Sequence, residues 1–283
     1  MSSPYRFAGQ TAVLTGAASG IGEHLAYGLA ERGSDLVLVD IDEPRLKPVA
    51  DRIRGSHPGI TVTTVIADLA DRSAVEGLGA RILAEHPAIG LLINNAGIAL
   101  GGRFDQVSVE QFETVMNVNF RAPMLLTHSL LPALSSGSHL VNVSSLFGLI
   151  APPGQSAYSA SKFALRGLSE ALRAELAENG IGVTTVHPGG IRTRIAESAL
   201  VGISVPESEI EPNRKLFAAL LSYPADKAAA LILRAVAKRQ ARLLISSSAK
   251  APDILARLLP VGHARIVRAL TTASASRSPA VTR

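Results

Sequence analysis

Residues 11–22 read TAVLTGAASGIG, a short apolar run that ends in a glycine-rich turn, and the chain continues as a helical pattern, EHLAYGLAERG. The glycines let the backbone turn sharply and approach a pyrophosphate, whose charge the free N–H groups and positive end of the following helix would meet. Between a first strand and a first helix, this turn predicts a dinucleotide site. The alternative is that the glycines serve only a tight turn. The predicted binding residues are Gly16, Ser19, Gly20, Ile21 and Gly22.

The alternation of apolar runs and helical patterns continues along the chain. The runs are too apolar for strands with one face in water, as expected for a parallel sheet covered on both sides. They predict an α/β fold: a doubly wound seven-stranded parallel sheet (Rossmann fold) with helices on both faces. Strands are predicted at 11–16, 35–40, 60–68, 90–97, 139–145, 182–189 and 241–246, and helices at about 20–32, 43–55, 71–86, 108–134, 156–179 and 224–239.

The domain organisation follows from the same pattern. Because no linker divides it, we expect residues 1–283 to form a single domain. The 190–223 segment is too long and too mixed for a simple connection, and we predict that it is a substrate lid. Residues from about 250 to 283 form a basic C-terminal extension.

The formal net charge of +5 lies in this extension, where Asp253 is the only acidic residue. Since the rest of the chain sums to zero, the charge does not indicate nucleic-acid binding. The stretch ILARLLPVGHARIVRAL predicts an amphipathic surface helix interrupted at Pro260. We expect it to pack against the body or a neighbouring subunit; membrane contact is the alternative. The basic residues are Lys250, Arg257, Arg265, Arg268, Arg277 and Arg283.

Other features bear on location and metals. The chain has no cysteine, no N-terminal apolar run of signal-peptide length and no stretch of about 18 apolar residues. We therefore expect a soluble, cytoplasmic protein. The histidines show no metal-ligand spacing, with His24, His128 and His187 isolated, so no metal site is predicted.

Asp40 ends the second predicted strand, about 20 residues beyond the glycines, where a carboxylate can accept hydrogen bonds from an adenosine ribose. The same charge would repel a 2′-phosphate, and Ser19 brings no positive charge to compensate. The predicted cofactor is therefore NAD, preferred over NADP. In the alternative interpretation, Asp40 or Asp42 caps the helix that begins near Glu43.

Tyr158 and Lys162 lie four residues apart in YSASK, and so share one face of the predicted helix. An ammonium about 4 Å from the phenol would favour the phenolate by roughly 4 kcal/mol, which lowers a phenol pKa near 10 by about three units before the desolvation that opposes it. Tyr158 would then exchange a proton with an alcohol or carbonyl as general acid/base. Ser145, at the end of the preceding strand, would hold the substrate oxygen.

Together these residues resemble the short-chain dehydrogenase/reductase family, in its single-domain, non-extended branch, over roughly residues 8–250. The matching positions are TGAASGIG, Asp68-Leu69, Asn94-Asn95-Ala96-Gly97, Asn119, Ser145, Tyr158, Lys162 and Pro188-Gly189-Gly190-Ile191-Arg192-Thr193. The resemblance implies an NAD(P)-dependent enzyme that acts on CH–OH groups.

The resemblance also implies roles for single residues. Catalysis would rest on Ser145, Tyr158 and Lys162, with Asn119 holding a water in a proton relay and Lys162 also binding the nicotinamide ribose. The cofactor would further contact Asp68, Leu69, Asn95, Ala96, Gly97, Pro188, Gly189, Ile191 and Thr193. A homodimer or homotetramer is expected through the helices at about 108–134 and 156–179. In the alternative interpretation, Asn94 only satisfies buried backbone groups.

Apolar residues in the 190–223 segment and just after the strand that ends at Ser145 predict a pocket for a small apolar secondary alcohol or ketone. Helical core packing explains the same residues as well. Two related enzymes fit less well. The glycine spacing and the chain length argue against a sugar-nucleotide epimerase, and the three-residue gap between Tyr158 and Lys162 argues against an enoyl reductase. The other alternative is a nucleotide-binding sensor or scaffold with the same fold and no turnover. The apolar residues are Gly148, Leu149, Ile150, Ile195, Ala199, Leu200, Val201, Ile203, Val205, Leu216, Phe217, Leu220, Leu221 and Tyr223.

Overall fold

The structure, a computed structural model, describes residues 3–264. Its main sheet has seven strands in the order β7-β6-β5-β4-β1-β2-β3, and every pairing is parallel. This confirms the predicted doubly wound sheet. The strands are β1 Thr11–Thr15, β2 Asp35–Asp40, β3 Val62–Ile66, β4 Ile89–Asn94, β5 Leu134–Val143, β6 Gly182–Pro188 and β7 Arg242–Ile245.

Helices cover both faces of the sheet because the strands are apolar on both sides. The helices are α1 Gly20–Ala30, α2 Glu43–Ser56, α3 Arg72–Glu85, α4 Val109–Met116, α5 Ala122–Leu130, α6 Ser156–Ala177, α7 Glu207–Leu220, α8 Ala225–Ala237 and α9 Ser247–Leu258. Leucines and isoleucines of α1, α2 and α8 form one buried layer, and those of α3, α5 and α6 form the other. The chain reverses direction across the sheet between β1 and β4, which opens a crevice at their carboxyl ends.

The continuous helix predicted at 108–134 is wrong in one respect. Between α4 and α5 the chain makes a π-helical turn at Asn117–Arg121, and a 3-10 turn, Leu131–Ala133, follows α5. Pro123 gives the physical reason, because its ring would clash with the Asn119 carbonyl in a continuous α-helix and it has no N–H to donate. The wide turn just before Pro123 relieves that clash.

The 190–223 segment has more structure than a loop. It contains a 3-10 turn, Arg194–Ala196, and the helix α7, in which no residue is buried. Two short parallel pairings tie it down: Ile191–Arg192 with Tyr223–Pro224, and Leu200–Val201 with Leu100–Gly101. The first pairing joins the two ends of the segment to each other and the second attaches its middle to the body, while α7 lies on the surface.

The C-terminal extension is described only to residue 264. There α9 ends before Pro260, as the sequence predicts for the interruption. Arg242 of β7 donates to both carboxylate oxygens of Asp253, at 3.0 and 2.5 Å, which holds α9 against the sheet edge. The rest of the predicted amphipathic stretch lies outside the described residues. In the described part of the chain, no helix has the length and apolar character needed to cross a membrane.

Candidate active site

A cleft of about 690 Å³ opens at the carboxyl ends of the strands, where the strand order reverses. The turn after β1, the end of β2, the segments after β4, β5 and β6, and α6 all border it. All the predicted site residues line this cleft except Gly22 and Asn119, which lie behind its wall. Those that line it are Gly16, Ser19, Gly20, Ile21, Asp40, Asp68, Leu69, Asn95, Ala96, Gly97, Ser145, Tyr158, Lys162, Pro188, Gly189, Ile191 and Thr193.

The glycine turn is shaped by close backbone packing. Gly16 has a φ of +68°, and a Cβ there would lie 2.8 Å from the Ala96 Cα. A Cβ on Gly22 would lie 1.8 Å from the Gly16 carbonyl oxygen. Asn95 completes the turn, because its Nδ2 donates to the carbonyls of Thr15 and Gly16 at 3.0 and 3.1 Å. Gly22 and Asn95 therefore fix the shape of the surface on which a pyrophosphate would lie.

The N-terminus of α1 is oriented into this cleft. Ser19 is the N-cap residue, with extended backbone, and its side chain makes no capping hydrogen bond to α1. The first N–H groups of the helix, which have no intrahelical partners, and the positive end of its dipole are thus directed at the turn. Thr193 closes the turn from the other side, since a Cβ on Gly20 would lie 2.9 Å from the Thr193 Cγ2.

Asp40 already accepts two hydrogen bonds from the backbone. Its Oδ2 accepts from the Ala18 N–H at 2.9 Å, and its Oδ1 accepts from the Asp42 N–H at 3.0 Å. Asp42, not Asp40, caps α2, by accepting from the Arg45 N–H at 3.2 Å. The Arg45 guanidinium also pairs with Asp42 and borders the cleft beside Asp40. Sequence reasoning missed Arg45, whose position three residues after the cap was its only signal.

Ser145, Tyr158 and Lys162 come together as predicted. Ser145 follows β5, and its Oγ accepts from the Phe147 N–H at 3.1 Å, which leaves the hydroxyl hydrogen free for another partner. Tyr158 and Lys162 are buried on one side of α6, with the Lys162 Nζ 5.7 Å from the centre of the Tyr158 ring. The Nζ donates to the Val143 carbonyl at 3.0 Å.

The electrostatics of this group differ from the sequence-based expectation. Burial raises the pKa of the Tyr158 phenol, and a hydrogen bond with Ser145 opposes that rise. Burial also lowers the pKa of Lys162 to about 8. The expected lowering of the phenol pKa by the ammonium is not seen, because both groups are desolvated and the Nζ is bonded to Val143.

Asn119 supports the site from behind. Its Oδ1 accepts from the Ile98 N–H at 2.9 Å, and its Nδ2 donates to the Ile98 carbonyl at 3.0 Å and to the Ser161 Oγ at 3.1 Å. A Cβ on Gly97 would lie 3.1 Å from the Lys162 Nζ and 3.2 Å from the Asn119 Oδ1. Gly97 therefore leaves room for the lysine and asparagine side chains.

Asn94 has a different role from the one considered above. It is buried, and its Nδ2 donates to the Thr127 Oγ1 at 3.1 Å and to the Asn142 Oδ1 at 2.8 Å. Asn142 in turn donates to the Ser169 Oγ at 2.9 Å. These side-chain bonds join β4 and β5 to α5 and α6, so Asn94 holds the sheet and its helices together rather than satisfying backbone groups.

His187 and Ser248 are additional residues at the site. The His187 Nδ1 lies 3.1 Å from the Ser145 carbonyl, which can only accept, so this nitrogen carries the hydrogen. Burial lowers the pKa of His187 to about 4. Ser248, at the start of α9, borders the cleft, and its Oγ accepts from the Gly190 N–H at 3.3 Å. The position of His187 at a strand end, just before Pro188, was a signal that sequence reasoning did not use.

The far end of the cleft is apolar. Its wall includes Phe147, whose ring meets the Tyr158 ring edge-on with centroids 6.0 Å apart. Of the apolar residues predicted for the pocket, those that border the cleft are Ile195, Leu200, Phe217, Leu220 and Leu221. Leu149 and Ile150 are instead buried, and the remaining predicted residues do not line the cleft. Within residues 3–264 no cluster of three or more metal-binding side chains occurs.

Comparison with known proteins agrees with this geometry. A family model for short chain dehydrogenase matches residues 10–201. The chain is 41% identical over 270 residues to SadH of Mycobacterium tuberculosis, which is named an oxidoreductase, over 93% of this chain and 95% of SadH.

Solved structures are also similar. One is a short chain dehydrogenase/reductase from Burkholderia phymatum in complex with NAD, with a TM-score of 0.80 and 28% identity over 99% of both chains. Another, from Burkholderia cenocepacia J2315 in complex with NADP, has a TM-score of 0.74 and 29% identity over 87% of this chain and 99% of that one. The chain therefore belongs to the short chain dehydrogenase family, whose members are oxidoreductases that act on CH–OH groups.

Proposed function

We propose that the chain interconverts an apolar secondary alcohol and the corresponding ketone, with Tyr158 as general acid/base and NAD preferred over NADP. The observation that carries this proposal is that Ser145, Tyr158 and the glycine turn border one cleft. A proton-transfer group, an oxygen-binding group and a dinucleotide surface are thereby adjacent.

The residues present fit a nicotinamide dinucleotide. Gly16 and Gly22 let the turn pack closely on Ala96 and on its own backbone, and the N–H groups at the start of α1 are available for a pyrophosphate. Asp40 retains free lone pairs beyond its two backbone bonds, and these suit the adenosine ribose hydroxyls. The charge of Asp40 favours NAD, whereas Arg45 beside it is the one feature here that would attract a 2′-phosphate. When bound, the nicotinamide ring gives up or takes up the hydride.

The protein residues handle the proton. In alcohol oxidation the Tyr158 phenolate accepts the hydroxyl proton, and in ketone reduction the phenol donates one to the carbonyl oxygen. The Ser145 hydroxyl, which hydrogen-bonds with Tyr158, would also hold the same substrate oxygen. Lys162, when protonated, would stabilise the phenolate and bind the nicotinamide ribose.

Proton exchange with solvent would pass through Lys162 and a water held at Asn119. The Asn119 side chain is occupied with Ile98 and Ser161, so the water would be held by its backbone carbonyl. Because Pro123 has no N–H, this carbonyl cannot accept the usual hydrogen bond from the residue four positions later. That leaves the carbonyl without its usual helical donor, and so available to hold the water of the relay.

The distribution of charge supports an uncharged substrate. Asp40, Asp42, Arg45 and Asp68 lie at the adenosine end of the cleft. At the opposite end, among the residues that the structure describes, Arg194 is the charged residue that borders the cleft. It is already paired with Glu197 at 2.9 Å. A charged substrate would have no ready counter-ion beside Phe217 and Leu220, whereas an apolar carbinol would bury surface there.

A screen of apolar secondary alcohols with NAD⁺ and with NADP⁺, read as absorbance of the reduced nicotinamide, tests the proposal. We expect turnover with at least one alcohol and the higher kcat/KM with NAD⁺. A sensor or scaffold would bind NADH in a fluorescence titration but never consume it with any ketone, and that outcome would overturn the proposed enzyme. We also propose a homodimer or homotetramer, for which the mass in solution is the measurement.

A further inference from the structure

Large apolar side chains are exposed along the end of α9 and the turn that follows it. Ile254 is 57% exposed, Leu258 74%, Leu259 44% and Val261 85%. Among residues 3–264 these are four of the twelve large apolar side chains with high exposure, and they fall within eight consecutive positions. Exposed apolar residues are ordinarily scattered singly, whereas a contiguous group indicates an interaction surface.

The orientation of this surface is fixed by the other side of α9. Ala249 and Asp253 are buried, and Asp253 accepts from Arg242 of β7 and from Arg257. Rotation of the helix to bury Ile254 and Leu258 would break these charge-assisted bonds and expose Ala249. The apolar surface therefore faces outward as part of the folded state.

Basic groups border the apolar surface. Lys250 precedes Ile254 by one helical turn, and Arg257 lies one turn beyond Asp253, so both basic side chains lie beside Ile254 and Leu258. Asp253, the one acidic residue after position 250, is paired with both Arg242 and Arg257 and does not face this surface. The chain then continues from residue 265 with Arg265, Arg268, Arg277 and Arg283 and with no acidic residue.

We propose that the surface formed by Ile254, Leu258, Leu259 and Val261 docks onto an anionic lipid bilayer. Apolar side chains bordered by lysine and arginine match the arrangement of acyl chains beneath anionic headgroups. A second copy of the chain fits less well, since a two-fold contact through this surface would oppose Lys250 and Arg257 with the same cations of the partner. The surface is too short to span a bilayer, so the contact is peripheral.

The position of α9 relative to the cleft gives the contact a consequence. Ser248, at the first turn of the helix, borders the cleft, and α9 also packs against the 3-10 turn Leu146–Gly148 that follows Ser145. The docking surface begins about two helical turns away. Docking would thus bring the mouth of the cleft close to the bilayer surface.

Sedimentation of the full chain with vesicles tests the proposal. The vesicles are phosphatidylcholine alone, or phosphatidylcholine mixed with phosphatidylglycerol, at low and at high salt. We expect binding to the anionic vesicles and at least about tenfold weaker partitioning onto the neutral ones or at high salt. Ile254→Ser combined with Leu258→Ser should reduce the partition coefficient on anionic vesicles by about tenfold or more.

Two further variants separate the explanations. Val109→Ser, at a side chain 73% exposed on another face, is the matched control and should bind like the parent chain. Lys250→Gln should weaken binding to anionic vesicles only. The proposal fails if the parent chain does not sediment, or if the Ile254/Leu258 variant binds undiminished, which would assign binding to charge alone. It also fails if that variant lowers the mass in solution, which would make the surface an interface between copies. Unchanged thermal unfolding of each variant would exclude misfolding.

Discussion

The cofactor side and the substrate side of the cleft are built differently. On the cofactor side, the N–H groups of Gly16 and Ala18 bond to the Val39 carbonyl and to Asp40, and Asn95 holds the turn carbonyls. On the substrate side, α7 buries no residue, and its segment is held by one two-residue pairing between its own ends and another to Leu100–Gly101. One side is defined by the backbone, and the other by exposed side chains.

The two sides of the cleft therefore differ in the substitutions that they tolerate. A turn in which a single methyl group would meet a carbonyl, as at Gly22, admits few residues. A surface helix whose apolar side chains face a cleft can exchange them without disturbing the sheet. We therefore expect substitutions on the cofactor side to affect folding and binding together, and those on the substrate side to affect substrate selection alone.

Tyr158→Phe should have the largest effect, because it removes the acid/base hydroxyl and keeps the ring that packs on Phe147. We expect turnover to fall by about 1,000-fold or more, while the Kd for NADH changes by about threefold or less. Steady-state rates and a fluorescence titration measure the two. Tyr27→Phe, which removes a hydroxyl bonded to Glu23 on α1, should leave both unchanged. Normal turnover of the Tyr158 variant would remove that residue from the mechanism.

Gly22→Ala tests whether the cofactor side depends on its backbone contacts. The added methyl would meet the Gly16 carbonyl, so we expect about 2–3 kcal/mol lower stability and about 100-fold weaker dinucleotide binding. Gly77→Ala in α3, where nothing lies within 4 Å, should instead be neutral or about 0.5–1 kcal/mol stabilising. Equal free energies of unfolding for the two variants in urea denaturation would contradict the claim that the cofactor side depends on its backbone contacts.

Acid should weaken the sheet that both sides share. Burial lowers the pKa of His139 in β5 to about 3 and that of His187 in β6 to about 4. The unfolded chain binds protons below about pH 6.5 that the folded one does not, so stability falls as the pH drops below that value, by about 2 kcal/mol per histidine at pH 5. Urea denaturation at pH 7 and pH 5 measures the loss. His139→Gln should remove about half of it.

Phe217→Ser should change substrate binding without changing the fold. Phe217 borders the cleft from α7, and we expect about a tenfold higher KM for large apolar alcohols. The free energy of unfolding should move by about 0.5 kcal/mol or less. Leu216→Ser, on the same helix but not at the cleft, is the control and should leave KM unaltered. A large loss of stability in the Phe217 variant would show that α7 is part of the core.

Asp40→Asn should have the smallest effect. The amide oxygen can still accept from the Ala18 N–H, but the negative charge is lost. We expect the ratio of kcat/KM for NADP⁺ to that for NAD⁺ to rise by about fivefold, because the repulsion of a 2′-phosphate is removed while Arg45 remains. An unchanged ratio would count against the ribose contact.

The sequence predicted the parts of the fold whose physical causes are local or periodic. Apolar runs located all seven strands, although β5 begins at Leu134 rather than near 139 because Leu134 pairs with Ile89 ahead of an irregular register. The spacing of Tyr158 and Lys162 placed both on one side of α6. The glycine turn and Asp40 were found because few residue types fit such positions.

Features that depend on distant contacts were harder to predict. The helix α7 has no buried residue and contains Pro212, so its pattern lacks the usual signal. The pKa of Tyr158 depends on burial and on its hydrogen bond with Ser145, and neither follows from residue spacing. The contact of His187 with Ser145 joins the carboxyl ends of the neighbouring strands β5 and β6, 42 positions apart in the sequence, and becomes visible only in three dimensions.

The extra residue in the π-helical turn Asn117–Arg121 sets the direction in which the side chains of the following helix, α5, point. One residue corresponds to about 100° around a helix, so the turn lets Asn119 reach Ile98 while Leu126 and Leu130 still enter the core. A one-residue deletion there would restore regular winding and misdirect one set or the other. The number of residues in this turn, and not only their type, is therefore constrained. Single-residue deletions scanned through it should each impair folding.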